Sequence, residues 1–134
     1  MAVITLDFHS KALKMCTLVT LVVPDSVRIK GIPLSARRTV YLLHGLSEDA
    51  TAFLRLSGAE RYARAHDLVL VMPTGGRSMY CDGINGQNWF TYIAEELPEY
   101  LHLLMGLSRR REQNFIAGYS ICLLYTSDAA DDLI

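Results

Sequence analysis

The residues whose types and spacing best suit chemistry are Gly118, Tyr119 and Ser120, of which Gly118 ends the mainly apolar run NFIAG (114–118) and the other two follow it. A serine hydroxyl is a weak nucleophile unless a base accepts its proton and the backbone holds it exposed. A sharp turn from strand to helix achieves this exposure, and its tightness requires small residues two positions before and after the serine. Gly118 satisfies the first position, whereas Cys122 occupies the second. Ser120 is therefore a candidate nucleophile, although G-x-S alone is a common tripeptide.

A second candidate is the segment HGLS (44–47), which ends the apolar run TVYLLHG (39–45). The tetrahedral intermediate of acyl transfer needs backbone N–H groups aimed at its oxyanion. A His-Gly turn after a buried strand can offer one, from Leu46, and the residue after the nucleophile, Ile121, can offer the other. For His44 the pattern favours a histidine that shapes the turn over a general base. The remaining histidines have no special context: His9, His66 and His102.

The third candidate is the glycine-rich loop TGGRSMYCDGINGQN (74–88). Neither GxxxxGK[ST] nor GxGxxG occurs in it, so a nucleotide-binding role is not indicated. Its polar and aromatic residues could wall a substrate pocket together with His44 and Gly45, and a purely structural role explains the loop equally well. The pocket candidates in and beside the loop are Tyr80, Asp82, Asn88 and Trp89.

The elements that would position these residues alternate between strand and helix. Runs rich in apolar and β-branched residues predict five strands, and two segments with helical spacing predict helices. A connecting loop is predicted at 27–38. The predicted strands cover 2–8, 16–23, 39–45, 68–73 and 114–118, and the predicted helices cover 58–66 and 89–105. This order predicts an α/β fold with a mostly parallel sheet and flanking helices, so that the three candidate segments meet at the carboxyl ends of the strands.

Two local signals refine the predicted helices. Ser57 and Glu60 have the spacing of a capping box at the start of the first helix. The second helix has an apolar face, and Pro98 is expected to kink it because proline has no N–H to donate to the carbonyl of Ala94. The apolar face consists of Phe90, Ile93, Ala94, Leu97, Leu101 and Leu104.

Composition bounds the class of protein. With 134 residues, 51% hydrophobic and 20% charged, the chain is long enough for one compact domain and has an ordinary globular balance. The net charge of −1 and the single short basic segment SRRRE (108–112) favour no nucleic-acid or acidic partner. The longest uncharged apolar stretch (15–24) is too short to span a membrane. The charged residues Asp7, Lys11 and Lys14 lie where a signal peptide would have an apolar run. A cytoplasmic protein is expected.

The three cysteines are widely spaced and show neither a CxxC pair nor a Cys/His pattern, so no metal site is indicated: Cys16, Cys81 and Cys122.

Five blocks of the first 120 residues resemble the tributyrin esterase and S-formylglutathione hydrolase-like (esterase D-type) branch of the α/β-hydrolases. The resemblance covers about half of a typical member. It implies a serine esterase with a Ser-Asp-His triad and no metal or cofactor, in which Ser120 is the nucleophile and Leu46 an oxyanion donor. The blocks are FHSKALKM (8–15), YLLHGLSEDATAFLR (41–55), LVLVMPTGGRSMYCD (68–82), NWFTYIAEELPEYL (88–101) and NFIAGYS (114–120).

The chain departs from the family at Ile121, where the resemblance implies a small-residue elbow such as S-M-G-G. In α/β-hydrolases the triad runs Ser, then Asp or Glu, then His. All four histidines precede Ser120, and the later acids are too near to it in sequence: Asp128, Asp131 and Asp132. The triad aspartate and histidine are therefore absent from this chain.

The segment CLLYTSDAAD (122–131) is the peptide that translation of a transposase sequencing adapter would give. We therefore interpret 1–121 as an incomplete α/β-hydrolase domain and 122–134 as a non-native tail, excluded from fold reasoning. The alternative is a natural C-terminal helix, SDAADDLI, capped by Ser127.

The sequence as a whole predicts a parent serine carboxylesterase that acts on short-chain acyl esters or thioesters, with this truncated chain inactive. A carbohydrate acetyl or feruloyl esterase of the same superfamily is the alternative within the enzyme class. A non-catalytic fragment is the alternative outside it, and a binding module with a degenerate site is disfavoured because the G-x-S and His-Gly elements are both present. The expected partner is a small-molecule ester or thioester, without nucleic acid or membrane, and the oligomeric state is left open.

Overall fold

The computed structural model describes residues 1–45, 47–75 and 86–118. Its sheet contains five strands in the order β1-β2-β4-β3-β5. All five predicted strands are present, and their ends differ from the predictions by at most two residues. The strands are β1 (Ala2–Ser10), β2 (Met15–Val23), β3 (Thr39–Leu43), β4 (Val69–Pro73) and β5 (Asn114–Gly118).

The sheet is mixed. β4 and β5 both pair with β3 in parallel, whereas β2 pairs antiparallel with β1 and with β4. The prediction of a mostly parallel sheet therefore holds only for β4, β3 and β5. The physical reason lies in the connection between β1 and β2, because a turn as short as 11–14 can join only antiparallel neighbours.

Both faces of β3 and β4 are covered, as their unbroken apolar sequences predict. In β3, Tyr41 and Leu43 belong to the larger core under the long helix. The intervening Val40 and Leu42 pack against the smaller core under the short helices. Successive strand residues point to opposite faces, so β3 and β4 each contribute to two cores.

The short helices α2 (Ala52–Leu56) and α3 (Ala59–His66) connect β3 to β4, and α1 (Ser26–Ile29) precedes β3. α3 confirms the predicted helix at 58–66, but the capping box is wrong. The hydroxyl of Ser57 donates to the carbonyl of Phe53 at 2.5 Å and accepts from the N–H of Ala59 at 3.2 Å. Ser57 lies at the end of α2, where this carbonyl competes for it, and no side chain caps α3. The loop predicted at 27–38 contains the end of α1 and a 3-10 turn, Leu34–Ala36.

The long helix connects β4 to β5 and confirms the prediction for 89–105. It consists of α4 (Trp89–Thr91), a π-helical turn (Tyr92–Glu96) and α5 (Leu97–Met105). The helix contains a π turn just before Pro98, in which the N–H of Leu97 donates to the carbonyl of Tyr92, and the kink expected at Pro98 stays a prediction. Pro98 then falls in the first turn of α5, where the missing N–H of proline is tolerated.

The buried side chains of the long helix differ from the predicted apolar face on both sides of the π turn. Leu104, predicted on the apolar face, is 52% exposed, and Phe90 is only partly buried. The buried residues are Trp89, Tyr92, Ile93, Ala94, Leu97, Pro98 and Leu101. Among the described residues, no helix has both the length and the apolar character needed to cross a membrane.

Candidate active site

The carboxyl ends of β3, β4 and β5 lie at one edge of the sheet. Leu43, the last residue of β3, is in register with Gly118, the last residue of β5. Tyr41 is in register with Val71, so β4 ends beside β3 as well. As far as the described residues extend, the three segments predicted to meet at this edge do so. Substrates of parallel α/β sheets bind at such an edge.

Several predicted site residues lie outside the described residues: Leu46, Tyr80, Asp82, Ser120 and Ile121. The described part of β5 stops at Gly118, two residues before the candidate nucleophile and next to Leu43. Their roles remain predictions from the sequence and from the family resemblance.

His44 is in the described part and is 1% exposed. Its Nε2 accepts a hydrogen bond from the N–H of Gly75 at 2.8 Å, and its Nδ1 lies 2.6 Å from the carbonyl oxygen of Gly45. A backbone N–H can only donate, so Nε2 carries no proton. The ring is therefore neutral, with its proton on Nδ1, which donates to Gly45. Because both nitrogens are engaged, His44 is poorly suited to act as a general base, in agreement with the structural role that the sequence favours.

The turn after β3 is held by further hydrogen bonds around Gly45. The N–H of Gly45 donates to a carboxylate oxygen of Glu48 at 3.3 Å, and the N–H of Glu48 donates back to the carbonyl of Gly45 at 3.2 Å. Farther along, the N–H of Ala50 donates to the hydroxyl of Thr74 at 3.2 Å. The described parts of the loops that follow β3 and β4 are thus joined through His44 and through Thr74. The sequence gives no local signal for these pairings.

Asp49 closes the same loop. Its carboxylate accepts from the hydroxyl of Thr51 at 2.6 Å and from the N–H of Thr51 at 2.8 Å. These two bonds, with the hydroxyl bond the larger cause, hold the pKa of Asp49 below its ordinary value because they favour the charged form.

Trp89, predicted as a possible pocket residue, is 7% exposed and belongs to the larger core. Its ring meets that of Tyr92 edge-on, with 6.2 Å between the centroids and 85° between the planes. The preceding Asn88 is tied by its N–H to the carbonyl of Ala12 at 2.9 Å. Trp89 thus begins the long helix and directs its indole into the core, so its described contacts are those of a packing residue.

A polar cluster that sequence analysis missed fastens the turn between β1 and β2 to the long helix. The hydroxyl of Ser10 donates to the carboxylate of Glu96 and accepts from the N–H of Leu13. The same carboxylate accepts from the N–H groups of Lys11 and Ala12, at 2.8 and 3.3 Å. The available signal was a glutamate among apolar residues of the helix, but its partners are more than eighty residues away.

Within the described part of the chain, no three His, Cys, Asp or Glu side chains are grouped to hold a metal ion. A groove of about 660 Å³ lies between β1 and the long helix, with the stacked rings of Phe8 and Tyr100 in its wall. None of the residues that line it is at the carboxyl ends of β3, β4 or β5.

Known proteins resemble this chain in both sequence and fold, although no family model matches it. An acetyl esterase from Caldicellulosiruptor saccharolyticus is 25% identical over 126 residues, which cover 90% of this chain and 47% of the esterase. The solved structure of FphF, a fluorophosphonate-binding serine hydrolase of Staphylococcus aureus, superposes with a TM-score of 0.81 and 34% identity, over 96% of this chain and 53% of FphF. The structure of the S-formylglutathione hydrolase FrmB of the same organism superposes with a TM-score of 0.78 and 34% identity, over 96% of this chain and 54% of FrmB.

These similarities confirm the resemblance to esterase D-type α/β-hydrolases and the partial α/β-hydrolase fold. The chain spans about half the length of the proteins that it matches.

Proposed function

We propose that the chain is part of a serine carboxylesterase that hydrolyses short-chain acyl esters or thioesters. The observation that carries the proposal is that Leu43 is in register with Gly118. The strand that leads to His44 and Gly45 and the strand that leads to Ser120 therefore end side by side. Similarity at 34% identity to a fluorophosphonate-binding serine hydrolase supports it, because fluorophosphonates react with activated serines. The support comes from the scaffold and the resemblance, since Ser120 itself lies outside the described residues.

In the proposed reaction, the Ser120 hydroxyl oxygen attacks the carbonyl carbon of the ester while a histidine accepts the hydroxyl proton. The N–H groups of Leu46 and Ile121 stabilise the oxyanion of the tetrahedral intermediate. Collapse breaks the bond to the alcohol or thiol, which leaves with the proton from the histidine. Water, deprotonated by the same histidine, then attacks the acyl-enzyme and releases the acid and the free serine.

The base and its aspartate are not supplied by this chain in the proposal. His44 is occupied by Gly45 and Gly75, and no histidine follows Ser120. We therefore propose that both residues come from the remainder of the parent protein, that 1–121 is the incomplete domain, and that 122–134 is not native to it. The chain as it stands is then a non-catalytic fragment. A cytoplasmic location belongs to the same proposal and rests on the charged segment with Asp7, Lys11 and Lys14.

A carbohydrate acetyl esterase is the second candidate, because one relative is an acetyl esterase at 25% identity. The two candidates differ in the alcohol or thiol that leaves. Hydrolysis of an S-acyl glutathione and of an acetylated xylo-oligosaccharide by the same preparation would separate them, with p-nitrophenyl acetate as the shared substrate.

The experiment requires the continuous reading frame, recovered by sequencing the source DNA across codons 115–140 with primers outside this region. We expect the encoded protein to hydrolyse p-nitrophenyl acetate, and Ser120→Ala to reduce kcat by a factor on the order of 10³ or more. Ser35→Ala, at an exposed serine in a 3-10 turn, is the matched control and should leave kcat unchanged. Equal turnover by the Ser120→Ala protein would overturn the proposal.

A further inference from the structure

We propose that the groove between β1 and the long helix binds an extended peptide segment with arginine at alternate positions, which adds a strand to the free edge of β1. The groove contains no residue of the proposed active site, so it is independent of the esterase proposal. The occupant is inferred from three features of the described residues: the open edge of β1, the position of the groove beside that edge, and the charges of its walls.

β1 (Ala2–Ser10) is an end strand of the described sheet. One of its edges pairs with β2 over its full length. The other edge pairs with no strand in the described part of the chain. Backbone N–H and C=O groups on such an edge can form hydrogen bonds with an added strand. β1 therefore offers the backbone half of a peptide-binding site.

The groove lies beside this free edge and not over one face of the sheet. Phe8 and His9 both line it. Because they are neighbours in β1, their side chains point to opposite faces of the sheet, and a groove that touches both must pass along an edge of the strand. β2 occupies one edge, so the groove follows the other. Its opposite wall is the long helix, which contributes residues from Thr91 to Leu103.

The dimensions of the groove suit an extended chain. Its volume is about 660 Å³. From Thr91 to Leu103 the helix rises about 18 Å, at 1.5 Å per residue. A strand rises about 3.3 Å per residue, so roughly five or six residues of a peptide cover this length.

The helix gives the groove a negatively charged wall. Three glutamates line the groove, Glu95, Glu96 and Glu99, against the single ammonium group of Lys11. Glu96 already accepts hydrogen bonds from Ser10 and from the N–H of Lys11. Glu95 and Glu99 are exposed, and neither forms an ion pair with another described residue. Two carboxylates thus remain to bind cationic side chains of a partner.

The aromatic wall favours arginine among the cationic side chains. Phe8 and Tyr100, which both line the groove, stack with 4.6 Å between their centroids and 15° between their planes. A guanidinium group is planar, so it can donate two N–H groups to a carboxylate and also stack on an aromatic ring. Leu103, 75% exposed, offers an apolar contact for the hydrocarbon part of the side chain. Because strand side chains alternate, arginine at every second position places the guanidinium groups on the helix side.

The same charges disfavour a second copy of this chain as the occupant. Pairing of two β1 edges about a twofold axis would place the same surface on both sides of the contact. Glu95 and Glu99 of one copy would then lie near those of the other, and like charges repel. A cationic segment meets no such repulsion, so charge complementarity favours it.

The test uses the protein from the complete reading frame and capped hexapeptides in which arginine alternates with threonine. At low salt we expect the affinity in titration calorimetry to fall by about 5-fold to 30-fold in Glu95→Gln/Glu99→Gln, the loss of two exposed ion pairs. Glu60→Gln/Glu112→Gln removes two exposed carboxylates outside the groove and should leave the affinity unchanged. Equal affinity of the two double variants, or no binding to the wild type, would overturn the proposal.

A second measurement asks whether the bound peptide adds a strand. Hydrogen exchange of backbone amides in the wild-type protein should slow in β1 when the peptide binds. N-methylation at alternate residues blocks one edge of the peptide, so methylation at the arginines or at the threonines should weaken binding by about 10-fold or more, and the other should not. Equal binding of both methylated peptides and the parent peptide would indicate a cation site without strand pairing and would refute the proposal. Neither measurement uses esterase activity, so both stay decisive if Ser120→Ala leaves turnover unchanged.

Discussion

Asp49 shows how single residues hold the loop at the candidate active site. It lies on the surface, yet both donors of Thr51 converge on one of its oxygens. These hydrogen bonds are strongest when the carboxylate is charged, so they lower the pKa of Asp49. The bond from the Thr51 hydroxyl has the larger effect, and the bond from the Thr51 N–H has the smaller one.

A depressed carboxyl pKa in the folded state has a definite consequence for stability against pH. Asp49 contributes stability above its unfolded pKa of about 4, and loses it as the pH falls through the lower folded value. Asp49→Asn should therefore lower the free energy of unfolding at neutral pH, by less than about 1 kcal/mol because the carboxylate is exposed to solvent.

Urea unfolding at about pH 7 and at about pH 3 would measure this difference. We expect the gap between wild type and Asp49→Asn to shrink in acid, whereas Asp7→Asn, an exposed position on β1, should change little at either pH. A gap of the same size at both pH values would show that the bonds to Thr51 do not depend on the charge.

At the residue scale, sequence alone could predict a role only where the partners are close along the chain. The turn-shaping role of His44 follows from its place at the end of an apolar run, but its bond to Gly75 spans 31 residues and could not be read from the pattern. Trp89 was predicted at a pocket because it follows a polar loop. The packing of its indole into the core depends on helix and sheet together.

The long helix ends before Gly106, whose backbone lies in the left-handed region that favours glycine. Gly106 follows α5 with φ of +76°, and its N–H donates to the carbonyl of His102 at 2.9 Å. A Cβ built at this position would meet nothing within 4 Å. The cost of a side chain at Gly106 should therefore come from its backbone conformation and not from a clash.

Gly106→Ala should lower the free energy of unfolding by about 1–2 kcal/mol, the penalty for an L-residue in the left-handed region. Gly106→Asn should cost less, because asparagine tolerates that region better. Chemical denaturation followed by circular dichroism would measure both. Equal effects of the two variants would contradict the conformational explanation.

At the element scale, buried strands and the long helix are strongly encoded because their apolar runs are continuous or periodic. The π turn (Tyr92–Glu96) was not predicted, because the spacing of the apolar residues was interpreted as one regular helix. Strand direction was also missed for β1 and β2, although the short segment between them contains the information that they must be antiparallel.

On the scale of the whole molecule, β5 is the end strand of the described sheet and one of its edges pairs with no other described strand. Phe115 on this strand is 46% exposed. An apolar strand with an open edge is a template for intermolecular pairing. We therefore expect the chain as it stands to aggregate.

Phe115→Lys should reduce light scattering by the chain and increase its soluble yield, because a lysine on an edge strand disfavours pairing with another chain. Leu103→Lys is the matched control, since Leu103 is 75% exposed on α5 and away from the sheet edge. An equal improvement from both variants would point to general surface hydrophobicity and not to the β5 edge.

The central claim is that Ser120 is the nucleophile of a serine esterase, and labelling with a fluorophosphonate tests it most directly. The protein from the complete reading frame would be labelled, digested and mapped by mass spectrometry. We predict one adduct, on Ser120, and little labelling of the 134-residue chain under the same conditions, because its serine has no base. An adduct on another residue, or none on a protein that hydrolyses p-nitrophenyl acetate, would contradict the claim.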